Sequence, residues 1–292
     1  TKTGVLFIDV SISGNYAYTY SPWGCHLYVL DISIPSNPSL VGEVSGTCNS
    51  HAYKIDVSGN LVGIAHDGNG FALYDVSDPN NPYSAGSYDT PSGVGIFDNT
   101  VEFSAGYVYM SSAHDGVRII DVSNPSNPSD AGFSGDFNAS GGIAVSNNYA
   151  YCVSGWGLSV VDVSSSASPF RVSHIQFAHD ARGVAVQGNY AYVSGLEWDS
   201  GESWVNLYVV DISDPLNPSL VGYYVNPNKS YSHAGIAVSG NYVYIALEDR
   251  STSSYKAGLK IIDVSIPTSP TEAGSYIGVD GNGQGLALRG DY

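Results

Sequence analysis

One short strand-like segment recurs six times along the 292-residue chain, and this repeat constrains the fold more than any other feature. Each copy runs through apolar residues into Asp-Val-Ser or Asp-Ile-Ser. A proline follows each aspartate seven residues later, and a glycine follows that proline four residues later in every copy but the fourth, which has Ser173. The aspartates are Asp31, Asp75, Asp121, Asp162, Asp211 and Asp263. A repeat of roughly 45 residues indicates one supersecondary unit copied along the chain.

A second marker, Gly-Asn-Tyr or a variant of it, precedes each of these strands. It occurs at 14–16, 59–61, 105–107, 147–149, 188–190 and 240–242, and a seventh copy lies at 290–292. Gly-Asn supplies the positive φ that two-residue hairpins require, and the flanking segments are short and β-prone. No segment shows the spacing of an amphipathic helix, which argues against α/β folds. The sequence therefore predicts an all-β protein, a β-propeller of four-stranded antiparallel blades; a β-helix would need a shorter period.

We predict a single propeller domain over 1–292. Its blades are expected at about 5–46, 51–90, 93–137, 140–177, 180–227 and 232–279, followed by a terminal strand over 280–292. Six blades are favoured, and seven are the alternative. The surplus strand leaves two interpretations open: the chain is a fragment of a longer propeller, or the strand pairs with a neighbouring subunit as an added edge.

The recurring strand, such as Leu-Tyr-Val-Leu-Asp-Ile-Ser at 27–33, resembles the core of the LVIVD repeat family. The continuation Asp-Val-Ser-x-Pro-x-Asn-Pro is also present, at 121–128. The resemblance covers nearly the whole chain. It implies a propeller fold and an association with bacterial and archaeal surface or secreted proteins, and it supplies no catalytic residues.

The charge of the chain narrows its partners. There are 27 acidic and 10 basic residues, giving a net charge of −17. Such a field repels phosphate backbones and anionic lipids, so we expect no nucleic acid partner. No apolar run approaches the ~20 residues of a membrane helix, so no membrane insertion is expected. The abundance of Ser, Gly, Asn and Tyr favours an extracellular or cell-surface location, with a protein, a glycan or copies of the chain itself as partner.

The repeated aspartates are interpreted as structural, because an Asp before a proline-rich turn accepts hydrogen bonds from the amides of that turn. Function is therefore sought where the copies differ. In this strand order, the loops before the first strand and the loops between the second and third strands share one side of the blades. We call this side the variable face.

Two groups of candidate residues lie on the variable face. The first is a channel-mouth ligand or metal site formed by His51, His179, Asp180 and His233. These histidines would suit a transition metal, or alternatively would hydrogen-bond to neighbouring blades. The second group comprises the binding-face loop residues Trp23, His66, Asp67, His114, Asp115, Trp156, Glu197, Trp198, Trp204, Glu248 and Asp249. Tryptophans in such loops stack on a ligand or pack down on the blade beneath.

Cofactors and modifications are expected to be few. No cofactor is predicted, with calcium at 280–285 or a transition metal as alternatives. Cys25 and Cys48 lie on the variable face and are predicted to form a disulfide, whereas Cys152 is expected to be a buried thiol. Asn138 and Asn228 begin Asn-x-Ser triplets and are candidate N-glycosylation sites.

The functional hypothesis is a non-enzymatic binding or adhesion scaffold. The alternative is a structural subunit of a surface polymer or filament assembled through terminal strands. A metal-dependent enzyme is the third hypothesis, and it lacks a supporting motif, because the chain contains no Gly-x-Ser-x-Gly elbow and no phosphate loop.

Overall fold

A computed structural model describes residues 7–22, 24–46, 52–66, 70–90, 100–112, 116–135, 137–177, 180–199, 202–227, 231–249, 256–280 and 285–288. Within these ranges the chain forms 24 β-strands and no helix. The strands make six four-stranded antiparallel sheets, each with its strands in sequence order. The predicted meander of four strands per repeat is confirmed.

The strands of the first three sheets follow the repeats in order. Sheet 1 contains β1 (Val10–Ser13), β2 (Tyr16–Ser21), β3 (His26–Asp31) and β4 (Ser39–Ser45). Sheet 2 contains β5 (Ala52–Ser58), β6 (Leu61–His66), β7 (Gly70–Asp75) and β8 (Tyr83–Tyr88). Sheet 3 contains β9 (Val101–Ser104), β10 (Tyr107–Ser112), β11 (Gly116–Asp121) and β12 (Ser129–Phe133).

The remaining sheets repeat the pattern with longer strands towards the end of the chain. Sheet 4 contains β13 (Ile143–Ser146), β14 (Tyr149–Ser154), β15 (Gly157–Asp162) and β16 (Phe170–Gln176). Sheet 5 contains β17 (Ala181–Gln187), β18 (Tyr190–Asp199), β19 (Glu202–Asp211) and β20 (Ser219–Tyr224). Sheet 6 contains β21 (Tyr231–Ser239), β22 (Tyr242–Asp249), β23 (Lys256–Asp263) and β24 (Thr271–Asp280).

The sheets fall into two compact units, Thr1–Asn138 with sheets 1 to 3 and Ala139–Tyr292 with sheets 4 to 6. Within each unit the first strand of one sheet contacts the first strand of the next, β1 with β5 and β5 with β9, and likewise β13 with β17 and β17 with β21. We call these first strands the inner strands. Apolar residues of facing sheets fill the space between them, as Leu27 and Val29 of sheet 1 do with Val62 and Ile64 of sheet 2.

The repeated aspartates close the turn that follows each third strand. In every copy the aspartate Oδ1 accepts a hydrogen bond from the backbone N–H of the serine two residues later, at 2.7 to 2.9 Å. The bonds from Ser77, Ser123 and Ser265 hold the pKa of Asp75, Asp121 and Asp263 below its usual range. The structural interpretation of these aspartates is confirmed.

The glycine of the repeat lets the next sheet approach closely. A Cβ built on Gly42, Gly86 or Gly222 would lie 2.1 Å from the carbonyl oxygen of Pro79, Pro125 or Pro267 in the following sheet. The exception in the fourth copy uses the same point of contact, because the Ser173 hydroxyl donates a hydrogen bond to the Pro215 carbonyl at 2.6 Å. Gly274 of sheet 6 has no described atom within 4 Å of such a Cβ.

At two of these joints, an ion pair between the third and fourth strands of one sheet also binds a tyrosine of the preceding sheet. We call this arrangement the charged clamp. In sheet 6, Lys260 Nζ lies 2.7 Å from Glu272 Oε2, which also accepts a hydrogen bond from Tyr224 of sheet 5 at 2.5 Å. In sheet 3, Arg118 pairs with Asp130, which accepts a bond from Tyr88 of sheet 2 at 3.1 Å. The cation stands three residues before the repeated aspartate in both sheets, and the acid stands two residues after the proline.

Most of the terminal strand predicted over 280–292 lies outside the described residues. Asp280 is the last residue of β24, and 285–288 form no regular strand. The Leu286 backbone nitrogen lies 3.3 Å from a Cβ built on Gly235 in β21. Gly142 meets the Val184 nitrogen of β17 in the same way, at 3.0 Å. Residues 285–288 therefore lie beside sheet 6 as an inner strand lies beside the preceding sheet, but without strand partners of their own among the described residues.

Candidate functional site

Many of the predicted site residues lie outside the part of the chain that the structure describes. These are Trp23, Cys48, His51, Asp67, His114, Asp115, His179 and Asn228. Four others are placed in strands while their side chains are outside the description: Trp198 in β18, His233 in β21, and Glu248 and Asp249 in β22. The calcium loop considered at 280–285 is likewise outside it over 281–284. The predicted channel-mouth histidines therefore remain predictions.

In sheet 5 the second and third strands extend further on the variable face than in sheet 4. Strands β18 and β19 have 10 residues each, whereas the corresponding β14 and β15 have 6. The additional pairs run from Leu196 opposite Val205 to Asp199 opposite Glu202. At about 3.4 Å per residue, these pairs carry the strands roughly 13 Å further. We call residues 196–199 and 202–205 the raised hairpin.

One face of the raised hairpin is anchored in a hydrophobic core. Leu196 and Val205 are each 2% exposed and belong to the cluster that contains Val243, Ile245 and Leu247 of sheet 6. Sheet 6 is itself extended, because β22 and β23 have 8 residues each. The base of the hairpin is therefore held by the packing of Leu196 and Val205 against sheet 6.

The other face of the hairpin carries an acid and an aromatic ring side by side. Glu197 and Trp204 are directly opposite each other in the strand register, so both point to the face opposite Leu196 and Val205. Tyr208, on the same face of β19, donates its hydroxyl hydrogen to Glu197 Oε1 at 2.5 Å. Burial, and then this bond to Glu197, raises the pKa of Tyr208 above its usual range, so Tyr208 remains a donor at physiological pH.

Sheet 4 continues this surface at a lower level. The Phe177 ring lies 5.0 Å from the Tyr208 ring, centroid to centroid, and its backbone N–H donates to the Trp156 carbonyl at 3.1 Å. Trp156 occupies the two-residue turn between β14 and β15 and is 57% exposed. We call Trp156, Phe177, Glu197, Trp204 and Tyr208 the aromatic ledge. It connects three residues that the sequence predicted for the binding face, namely Trp156, Glu197 and Trp204.

Asp180 has a partner at the foot of the ledge. Its Oδ2 accepts hydrogen bonds from Arg182 Nε at 3.0 Å and from Nη2 at 2.9 Å. Its backbone carbonyl accepts a bond from the Leu196 N–H at 2.9 Å. Asp180 was predicted as a channel-mouth ligand, and the structure shows its carboxylate paired with Arg182, while its backbone carbonyl bonds to the base of the raised hairpin.

His66 is a core residue, which differs from the prediction that it belongs to a binding-face loop. It is the last residue of β6, is 8% exposed, and its ring packs edge-on against Tyr20 at 6.0 Å. Burial lowers the pKa of His66, so the ring is neutral at pH 7. Its place at the strand end, where the chain leaves the sheet, gave the sequence no sign of this burial.

A charged array on the inner strands of the first unit was missed by sequence reasoning. Asp9 accepts bonds from Lys54 Nζ and the Ile55 N–H, both at 3.1 Å, and Asp56 accepts a bond from the Phe103 N–H at 2.8 Å. Burial, and then the neighbouring Asp56 carboxylate, raises the pKa of Glu102 to about 8.

The register of the inner strands could have revealed this array. Ser11, Asp56 and Glu102 stand three residues before the first turn residue of their repeats. Ala144, Ala185 and Ala237 occupy that position in the second unit. Polar residues where other copies have alanine indicate a different environment in the first unit, so aligning the copies would have identified the positions.

The cysteines and the remaining predicted features have simple placements. Cys25 is disulfide-bonded, and Cys152 is a buried free thiol. Asn138 is exposed. Within the described ranges, no group of three or more His, Cys, Asp or Glu side chains is arranged to hold a metal ion. The described residues also include no helix long and apolar enough to cross a membrane.

Solved structures with the same architecture define the class of the protein. The β-propeller domain of Myceliophteria thermophila Cps50 (Swd1) matches with a TM-score of 0.71 at 11% identity, covering 96% of this chain and 89% of that one. The computationally designed Ika8 protein matches with a TM-score of 0.66 at 11% identity, covering 97% of this chain and 78% of that one. The chain is thus a β-propeller repeat protein with six blades, each formed by one of the sheets.

The sequence family is equally clear. The LVIVD repeat matches at residues 8–46, 50–90, 99–133, 139–175, 178–226 and 233–277, which together span most of the chain. The chain belongs to the LVIVD repeat family. A search of curated proteins gives no match.

Proposed function

We propose that this protein is a non-enzymatic binding or adhesion scaffold of the cell surface or extracellular space, and that it binds its ligand through the aromatic ledge. The raised hairpin carries the proposal. It is the largest departure from the common blade among the described second and third strands, and it places Glu197 and Trp204 together on one face. Aromatic side chains on a rigid support are the usual energetic centres of binding surfaces.

The chemistry of the ledge supports binding better than catalysis. The Glu197 carboxylate accepts a hydrogen bond from Tyr208, and no described nucleophile with an adjacent general base accompanies it. The disulfide at Cys25 supports an oxidising, extracytoplasmic compartment. The excess of 27 acidic over 10 basic residues supports solubility and a basic or neutral ligand.

A pair of arrays tests this function. The fluorescently labelled full chain is applied to a printed glycan array and to an array of short synthetic peptides of varied charge. We expect reproducible binding to a restricted set of spots, reduced at least about tenfold by Trp204→Ala. The matched control is Phe170→Ala, which removes an exposed aromatic side chain from β16, away from the ledge. Binding that both variants reduce equally, or no selective binding on either array, would refute the proposal.

A further inference from the structure

The aromatic ledge offers carboxylate acceptors, and the hydroxyl hydrogen of Tyr208 is already used. Tyr208 donates to Glu197 Oε1, and the Asn206 side chain beneath is buried, with its Oδ1 accepting the Asn226 N–H at 3.2 Å. Among the described residues, no donor other than Tyr208 contacts the Glu197 carboxylate. A carboxylate has several lone pairs and no hydrogen to donate, so the ledge can take further donors from a ligand.

The neighbouring ring favours a cationic donor. Trp204 is directly across from Glu197, and opposite residues on one face of an antiparallel pair have Cβ atoms about 5 Å apart. An ammonium or guanidinium group in this position lies against an indole ring while it donates to the carboxylate. The two interactions are cation–π attraction and a charge-assisted hydrogen bond, and both need a positive charge on the ligand.

The segments that form the extended strands of sheets 5 and 6 carry an excess of acidic residues in the sequence. The extended parts of sheets 5 and 6, with the turns that join them, include Glu197, Asp199, Glu202, Glu248 and Asp249. The basic residues of the same segments are Lys229, Arg250 and Lys256, and Lys256 stands opposite Asp249 in the register. At the foot of the hairpin, Arg182 is paired with Asp180. The ledge therefore complements a basic surface and disfavours an anionic one.

We propose that the aromatic ledge recognises a lysine or arginine side chain in an exposed basic segment of a partner protein. The inference rests on the proposed binding function and names its ligand class. The cation lies between Glu197 and the Trp204 ring, and the net charge of −17 attracts the rest of the basic segment. The long aliphatic stem of the bound side chain covers the apolar surface of the ledge.

Matched peptides test the ligand class. The probe is a capped Gly-Ser peptide with several lysines, compared with the same peptide carrying norleucine in place of lysine, each titrated into the full chain by calorimetry. We expect the lysine peptide to bind and the norleucine peptide to bind at least about tenfold more weakly, because the latter keeps the stem and lacks the charge. Equal affinity of the two peptides would overturn the inference.

Three substitutions separate the ledge from the general negative field of the chain. Glu197→Gln removes one charge while the amide oxygen still accepts the Tyr208 bond, and we expect it to weaken lysine-peptide binding about tenfold. Glu43→Gln makes the same change of net charge on the exposed strand β4 and is expected to leave binding nearly unchanged. Trp204→Phe tests the ring with a smaller packing change. Equal losses with Glu197→Gln and Glu43→Gln would show only a diffuse charge effect and overturn the proposed site.

The arrays and the titration together distinguish failure of the ligand class from failure of the function. If the lysine peptide does not bind while a neutral glycan gives a signal that depends on Trp204, the scaffold function stands and the basic ligand is wrong. If neither the glycans nor the peptides bind in a manner that depends on Trp204, both proposals fall.

Discussion

The Ser173 hydroxyl lies 2.6 Å from the carbonyl oxygen of Pro215 in the next sheet, and it donates a hydrogen bond to it. Gly42, Gly86 and Gly222 occupy the same register in their repeats and face the equivalent carbonyl without a side chain. The contact between the sheets is therefore compatible with glycine, which has no side chain, or with serine, whose hydroxyl donates to the carbonyl. An alanine at this position would bring its methyl group against the oxygen without bonding to it.

The glycine of this joint gives the first prediction. Gly222→Ala is expected to lower the free energy of unfolding by about 1–3 kcal/mol, because the new Cβ would lie 2.1 Å from the Pro267 oxygen and the sheets must shift apart. Gly274→Ala is the matched control, since no described atom lies within 4 Å of that position. It is expected to change stability by less than about 0.5 kcal/mol in urea unfolding. Equal costs at the two positions would contradict this account of the repeat.

The clamp in sheet 6 gives the second prediction. Glu272→Gln is expected to destabilise the protein by about 1–3 kcal/mol, because the Lys260 ammonium group is buried and loses its charged acceptor. Replacing both residues, Lys260→Met with Glu272→Leu, should restore most of that loss. Arg182→Gln, which breaks the more exposed pair with Asp180, should cost less than about 1 kcal/mol. A double variant as unstable as Glu272→Gln alone would contradict the role of the charge.

The inner-strand array gives a pH-dependent prediction. The pKa of Glu102 is about 8 in the folded chain, above the ordinary value of 4.5, so the folded chain binds more protons than the unfolded chain between these values. The free energy of unfolding should therefore fall as the pH rises through this range, and level off above it.

Glu102→Gln removes this titration while keeping the size of the side chain. We expect the variant to gain stability relative to the parent between pH 5 and pH 8.5, by about 1 kcal/mol or more, since one pKa unit corresponds to about 1.4 kcal/mol. Urea unfolding at the two pH values measures this gain. Glu43→Gln on the exposed strand β4 should show no such trend. A gain that is independent of pH would rule out the titration of Glu102 as its cause.

The thiols give a prediction that can be counted. Cys152 is buried, and this burial raises the pKa of its thiol to about 12, so the folded protein should not react with Ellman's reagent. In urea a single thiol should react. After reduction in urea all three cysteines of the chain should react, if Cys25 is bonded to Cys48 as the sequence predicts. Three reactive thiols in urea before reduction would contradict the predicted disulfide.

The sequence predicts the fold because the features that define it recur. The repeated aspartates, the prolines and the hairpin turns each act on the backbone within a few residues. Their effects can therefore be predicted from the sequence of a single repeat. The contact between successive sheets could be predicted only in part. The glycine register showed that Ser173 is an exception, but not that its hydroxyl bonds to the Pro215 carbonyl. That contact joins residues 42 positions apart, which no local pattern reports.

The site was predicted as a set of residues and not as an arrangement. Trp156, Glu197 and Trp204 stood out because their loops differ between copies. Their connection through Phe177 and Tyr208 depends on the height of the raised hairpin and on the packing of sheet 4 against sheet 5. The prediction of an exposed His66 was wrong for the same reason, because neighbouring sheets decide whether the end of a strand is buried.

The joint between successive blades has a further consequence for how such a chain changes over generations. At the four described joints, between sheets 1 and 2, 2 and 3, 4 and 5, and 5 and 6, the later blade presents a proline carbonyl and the earlier blade presents a glycine or a serine. A crossover between two repeats that share this contact would add or delete a whole blade and would keep the contact on either side of it. The number of blades can then vary by recombination, while a single hairpin, such as the one at 196–205, diverges by point substitution to meet a new ligand.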